Sequence, residues 1–228
     1  MNPDAVMIFA AGFGTRMMPL TKDRAKPMVH VNGAPMIDRA IAWAKDAGAQ
    51  RLVANTHYKP ALLETHLLAN DVTPIREEPD ILDTGGGLKN ASSLLGHDPA
   101  WTINPDAIWL GPNPLGVIAE NWRPDEMDAL LLCVLPDQAH GTDNDGDFLM
   151  DPKGRLTWGK GGIYGGVQII KMGLLDSYAP GNFSLHPVWN ECMDRGRLFG
   201  CTYPGAWCDI GHPGGIGLAE TLMEQDQC

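Results

Sequence analysis

Basic residues are in short supply in this sequence of 228 residues: 17 Lys and Arg stand against 28 Asp and Glu, a formal net charge of −11. Such a chain repels nucleic acids and anionic membrane surfaces, and no run of basic residues supplies a local patch against that repulsion. Long apolar runs are missing as well. The stretch Ala5 to Gly12 is far too short to span a bilayer and lacks the basic flank and cleavage pattern of a secretory leader, so a soluble, cytoplasmic protein is expected. Cysteine is sparse: Cys133, Cys192, Cys201, Cys208 and Cys228 form an odd set with no C-x-x-C pair, which argues against a disulfide framework or zinc site and for reduced thiols. The histidines contain no H-E-x-x-H, and His57 and His66 are too far apart to share a metal on one helical face.

What is present is ordinary for a globular chain, 44% hydrophobic and 20% charged. That is enough to bury one core, or at most two small ones, and excludes disorder, collagen and a coiled coil. Apolar β-rich runs alternate with helical patterns over the first half, the order that places helices on both faces of a mostly parallel sheet. Strands are expected at Val6 to Ala10, Arg51 to Asn55, Thr73 to Arg76, near Trp101 to Asn104 and within Asp128 to Leu135. Pro35 suits the first turn of a helix whose Ile37, Ile41 and Ala44 share a face and whose Gly48 suits the cap. Pro60 opens a second helix through Leu67 and Leu68. The run Gly85-Gly86-Gly87 reads as a loop before a helix near Leu88 to Leu95. From Gly141 onward Gly and Asp are dense, as in an inserted substrate-binding subregion with short strands such as Gly165 to Ile170. A helix from about Pro187 to Arg195, a strand around Trp207 to Ile210 and a helix near Ile216 to Glu224 complete the reading.

The most informative stretch follows the first strand: Ala10-Ala11-Gly12-Phe13-Gly14-Thr15-Arg16-Met17-Met18-Pro19-Leu20-Thr21, then Lys26-Pro27. A loop leaving the carboxyl end of a strand faces the ligand crevice of an α/β sheet, and glycines there let backbone N–H groups approach phosphate oxygens. Two commoner phosphate motifs fail on spacing. A dinucleotide fingerprint needs a small residue where Met17 stands, and the Gly-Lys-Ser/Thr of a Walker loop is absent. The segment Asp143-Asn144-Asp145-Gly146-Asp147 is not an EF-hand either, because Phe148 and Gly154 occupy the positions of its glycine and its final glutamate.

Phe9 to Pro27 resembles the N-terminal signature of the sugar-1-phosphate nucleotidyltransferases, including the step from the signature arginine to the lysine. Leu82-Asp83-Thr84-Gly85-Gly86-Gly87 resembles that family's nucleoside-contacting loop, Ile103-Asn104-Pro105-Asp106 its metal-aspartate strand end, and Trp207-Cys208-Asp209-Ile210-Gly211 its second metal-aspartate segment. The resemblance implies a three-layer, Rossmann-like, mostly parallel mixed sheet in a single catalytic domain. Residues 1–135 would form the nucleotide-binding part and 136–228 the sugar-binding part. It implies catalytic roles for Arg16 and Lys26 and nucleotide contacts from Ala11, Gly12, Gly14, Thr15, Thr84, Gly85, Gly86 and Asn104. Asp147 and Gly166 would meet the sugar, and Asp106 and Asp209 would hold Mg²⁺. The implied partners are a nucleoside triphosphate and a sugar 1-phosphate, with no nucleic acid or membrane; oligomeric state is left open.

Two departures stand out: Pro105 replaces a usual glycine before the first aspartate, and Ala25 a frequent proline before the lysine. The chain stops about one helix after Asp209, where larger members continue into a further domain. Its Asp-Thr-Gly-Gly-Gly and Cys-Asp-Ile-Gly elements look most like the compact uridylyltransferases of N-acetylmuramate 1-phosphate used in cell-wall recycling. Compact mannose-1-phosphate guanylyltransferases are the near alternative. A nucleotide-binding regulatory subunit and a metal-dependent glycosyltransferase are the readings outside this reaction.

Overall fold

The computed structural model describes residues 3–96 and 99–226. In chain order it contains β1 (Ala5–Phe9), β2 (His30–Val31), β3 (Ala34–Pro35), α1 (Met36–Asp46), β4 (Arg51–Thr56), α2 (Pro60–Ala69), β5 (Thr73–Arg76), α3 (Asp83–Asn90), α4 (Ser92–Leu95), β6 (Ala100–Ile103), β7 (Ala107–Leu110) and α5 (Pro114–Glu120). There follow β8 (Ala129–Val134), β9 (Ala139–His140), β10 (Phe148–Met150), β11 (Leu156–Trp158), β12 (Ile163–Ile170), α6 (His186–Asp194), β13 (Leu198–Thr202), β14 (Ala206–Asp209) and α7 (Pro213–Asp226).

The period of two in a strand builds the layers. In β1, Val6 and Ile8 face a core shared with Ile37 of α1, Leu63 and Leu67 of α2 and Ile118 of α5. Ala5 and Met7 face the other way, onto Leu88, Leu95, Val188 and Trp189 from α3, α4 and α6. Between these helical layers lies a seven-stranded sheet in the order β13-β8-β12-β6-β1-β4-β5. β12 runs antiparallel to β6 and β8, and the other neighbouring pairs are parallel. Strands from both sides of residue 135 interleave in this sheet, and the clusters on its two faces each draw residues from both parts.

In the first half the expected strands of the main sheet are found, with β5 at its expected bounds and Gly48, at φ +83, donating to Lys45 O, whereas β2, β3, β7 and α5 were not foreseen. Three expectations are corrected. Pro35 precedes α1 in an extended conformation (φ −54, ψ 140), so Met36 opens the helix. The run Gly85 to Gly87 lies inside α3 and is buried, not in a loop. The strand expected from Gly165 is the longer β12, which crosses the middle of the main sheet instead of leaving it.

A smaller sheet, β7-β14-β9, stands beside the main one. It rests on a third cluster in which Met17, Val29, Val31 and Met36 pack against Ile108, Cys208, Ile210 and Ala219. That cluster clamps the segment around the signature loop to β7, which follows Asp106, and to β14, which ends at Asp209. The described cysteines are free and buried, and Cys228 lies outside the described residues. Among the described residues, no helix is long and apolar enough to cross a membrane.

Candidate functional site

The loop that leaves β1 is fixed at both ends. Ala10 N–H donates to Asn55 Oδ1 at 2.7 Å, and Thr21 Oγ1 donates to Gly14 O at 2.8 Å. Gly14 has φ +62, and a Cβ there would stand 2.9 Å from Lys26 Cβ, so position 14 requires glycine on both grounds. Gly12 has nothing within 4 Å of the place its Cβ would occupy. Thr15–Met17 makes a single 3₁₀ turn that buries Met17 completely and leaves Thr15 and Arg16 exposed.

Four charged side chains converge beside this loop. Lys26 Nζ lies 2.6 Å from Asp106 Oδ2, with the two side chains 12% and 33% exposed. Asp106 stands just before β7 and Asp209 ends β14; those strands pair antiparallel, and Ile210 N–H donates to Asp106 O at 3.0 Å. Asp209 Oδ1 accepts from Gly211 N at 2.8 Å. A Cβ on Gly211 would stand 2.9 Å from Asp209 Oδ1 and 3.0 Å from Arg16 Nη2, so the absence of a side chain there lets the guanidinium sit close to the carboxylate. Burial, followed by the neighbouring Asp106 carboxylate, holds the Asp209 carboxyl above the usual range; Gly211 N–H, Lys26 and Arg16 oppose the rise. Burial also pushes the adjacent Cys208 thiol up to about 11, which leaves it without nucleophilic character at neutral pH.

Two carboxylates held side by side are a hard-oxygen donor set, and a divalent cation would offset the Asp106 repulsion that adds to burial in raising Asp209. No third His, Cys, Asp or Glu joins them in a cluster among the described residues. A pair of carboxylates is a donor set through which Mg²⁺ commonly binds, its remaining ligands coming from water and substrate phosphates.

Two small cavities adjoin these charges. One, of about 70 Å³, is lined by Phe9, Ala10, Gly12, Lys26, Pro27, Pro105 and Asp106. The other, of about 220 Å³, is lined by Phe9, Ala11, Gly12, Asn55, Ile81, Asp83, Thr84, Asn104 and Asp106. The signature loop, the start of α3 and the end of β6 thus face one space. Gly85 and Gly86 stand behind it. A Cβ on Gly85 would meet the Phe183 ring at 2.5 Å, one on Gly86 would meet Gly181 O at 2.1 Å, and Gly86 N–H already donates to Phe183 O. These glycines serve the close seating of α3 on the 181–184 segment. Thr84 Oγ1 accepts from Leu185 N at 3.1 Å and lies 3.2 Å from Asp83 Oδ1, so the same segment steadies the residue at the cavity wall.

The residues expected on the sugar side are placed less directly. Gly166 has φ +89 and abuts Asn104, where a Cβ would stand 2.8 Å from Nδ2, and its carbonyl accepts from Asn104 N. It therefore supports a cavity residue without lining either cavity itself. Asp147 accepts from Asn144 Nδ2 and Tyr164 N at 2.9 Å each, an arrangement that ties its loop to β12. Sequence reasoning overlooked Asn55 and Glu77, which are 4% and 1% exposed. Asn55 was visible as the end of a strand beside the crevice, but nothing in one sequence marks Glu77 as buried.

A family model described as Nucleotidyl transferase matches residues 5–143. The chain is similar to N-acetylmuramate alpha-1-phosphate uridylyltransferase of Caulobacter vibrioides, with 34% identity and 98% of each chain covered. It is similar to the protein of the same name from Neisseria meningitidis serogroup B, with 30% identity over 90% of this chain and 92% of that one. The solved structure of HddC from Yersinia pseudotuberculosis matches in fold, with a TM-score of 0.77, 23% identity, and coverage of 98% of this chain and 100% of that one.

Proposed function

We propose, from the premise that the chain belongs to the nucleotidyl transferase family, that it joins a nucleoside triphosphate to a sugar 1-phosphate, with UTP and N-acetylmuramate 1-phosphate as the pair. The products are UDP-N-acetylmuramate and pyrophosphate, a reaction suited to cell-wall recycling. The observation that carries the reading is the convergence of Arg16, Lys26, Asp106 and Asp209, with Asp106 itself lining the cavity that Gly12, Thr84 and Asn104 also line. The choice of substrates is supported by the two uridylyltransferases of Caulobacter and Neisseria, similar over nearly their whole length.

In this reaction a phosphate oxygen of the sugar 1-phosphate attacks the α-phosphorus of the triphosphate. The bond from that phosphorus to the bridging oxygen breaks, and the electron pair leaves with pyrophosphate. The nucleophile is already anionic and needs no general base. The chain must instead bring two anions together and stabilise charge around the α-phosphorus. Lys26, mostly buried beside Asp106, supplies a fixed charge to the reacting phosphates. Arg16, exposed at the turn after Gly14, reaches the triphosphate and the departing pyrophosphate. Ala11 and Gly12 offer close backbone approach to the nucleotide, and the Thr84 and Asn104 walls confine it. Asp106 and Asp209 would hold Mg²⁺, which when bound supplies charge neutralisation at the phosphates.

The test is pyrophosphate release from the purified protein with Mg²⁺, each of UTP, GTP, CTP, dTTP and ATP, and a panel of sugar 1-phosphates. Release confined to UTP with N-acetylmuramate 1-phosphate is expected. Release with GTP and mannose 1-phosphate would replace the substrates, and nucleotide binding without release from any pair would favour a regulatory role.

A further inference from the structure

The two sequence segments that meet at the nucleotide cavity are joined at its wall by a buried chain of hydrogen bonds in which Asn55 lines the cavity. Ala10 N–H donates to Asn55 Oδ1, Asn55 Nδ2 donates to Glu77 Oε1, and Leu82 N–H donates to Glu77 Oε2, each at 2.7 Å. The chain starts at the residue before Ala11 and Gly12 and ends at the residue before Asp83 and Thr84. Glu77 is 1% exposed and makes no ion pair among the described residues. Its charge is held by two N–H donors alone, a costly arrangement unless both are in place. The backbone on either side is pinned too: Glu77 N donates to Thr56 O at 2.8 Å, and His57 Nδ1 lies 2.9 Å from Glu77 O. Gly87 leaves room for the pair, since a Cβ there would stand 2.6 Å from Glu77 Oε1 and 2.9 Å from Asn55 Nδ2.

We infer that Asn55 and Glu77 are positioning residues that set the gap between the signature loop and the start of α3, and so tune affinity for the nucleoside triphosphate. The inference rests on the nucleotidyltransferase reading of the cavity. Among the described residues the pair makes no hydrogen bond or ion pair with the four converging charges; Glu77 acts through Leu82 and Asn55, and Asn55, which also lines the larger cavity, acts through Ala10. A buried polar relay with every member satisfied has only a few arrangements, which is what a precise spacing requires.

Polarity makes the inference testable. Glu77→Gln leaves one acceptor oxygen for two donors, so its amide nitrogen opposes either Asn55 Nδ2 or Leu82 N. Asn55→Asp sets a carboxylate against the Glu77 carboxylate. Combined, the substitutions restore complementarity. The new amide nitrogen at position 77 donates to one oxygen of the new carboxylate at position 55, whose other oxygen accepts from Ala10 N–H, and Leu82 N–H donates to the amide oxygen at position 77. The relay keeps its three hydrogen bonds and a single negative charge.

The experiment measures UTP dissociation constants by calorimetry in the presence of Mg²⁺, together with kcat and the KM for each substrate. Each single variant is expected to weaken UTP binding by roughly 10- to 100-fold, with the KM for the sugar phosphate changed by less than about threefold. The double variant is expected to return to within about threefold of the original affinity. UTP affinity unchanged in the single variants, or a folded double variant that binds no better than they do, would overturn the inference. If the single variants fail to fold, the double variant alone decides: native-like affinity supports the relay, and failure to fold or to bind overturns it. An unaltered protein that binds no nucleoside triphosphate would overturn the nucleotidyltransferase reading itself, separately and before any variant is made.

Discussion

At the scale of single residues, Asp106 and Asp209 do different work for stability and for chemistry. A carboxyl whose folded pKa is raised binds its proton more tightly in the native state than in the unfolded chain. Between the usual carboxylate range and that raised value, metal-free stability therefore falls as pH rises. Asp209→Asn removes this penalty. In thermal unfolding without metal at pH 7 the variant is expected to melt above the native chain, and the gap should close as pH drops through the usual carboxylate range. Mg²⁺ should raise the melting temperature of the native chain and not that of the variant; a variant that melts lower at pH 7 would contradict the burial argument. Asp106→Asn should lower turnover on the order of 10²-fold or more with far-ultraviolet circular dichroism unchanged. Arg16→Ala should likewise cripple turnover, yet shift stability by only about 0.5 kcal/mol, because the side chain is exposed and makes no ion pair among the described residues.

At the scale of elements, the site depends on packing well away from its charges. Met17 is fully buried against Ile108, Cys208 and Ile210. Truncating it to Ala is expected to cost about 2–5 kcal/mol in denaturant unfolding and to lower turnover by freeing the turn that carries Arg16. A stability loss without any change in turnover would separate the two. Gly86→Ala drives a Cβ onto the Gly181 carbonyl and should cost roughly 1–3 kcal/mol, read in the same way. The strands β1, β4 and β8 were legible because each is a short, largely apolar run bounded by turn residues. The start of α3 was not: three glycines each disfavour a helix by about 1 kcal/mol relative to Ala, and it is the close seating of Gly85 on Phe183, Gly86 on Gly181 and Gly87 on Glu77 and Asn55 that overrides that preference. β7 was missed because Pro105-Asp106 reads as a turn, and four residues beyond it carry little periodicity. The signature loop, Lys26 and the two aspartates stood out through spacing and resemblance. The Asn55–Glu77 relay depends on burial, which one sequence does not display.

At the scale of the whole molecule, a chain with a net charge of −11 can handle polyanions because its positive charge is local. Lys26 pairs with Asp106 and Arg16 lies near Asp209, two carboxylates suited to a divalent cation. The central claim is that a sugar phosphate oxygen displaces pyrophosphate from the α-phosphorus. The most direct test is phosphorus NMR of the reaction of UTP with N-acetylmuramate 1-phosphate carrying ¹⁸O in its phosphate. The expected product is a nucleoside diphosphate sugar whose sugar-side phosphorus keeps all of its label, with one pyrophosphate released per product. Formation of UMP with the sugar phosphate unchanged, or loss of label from that phosphate, would contradict it.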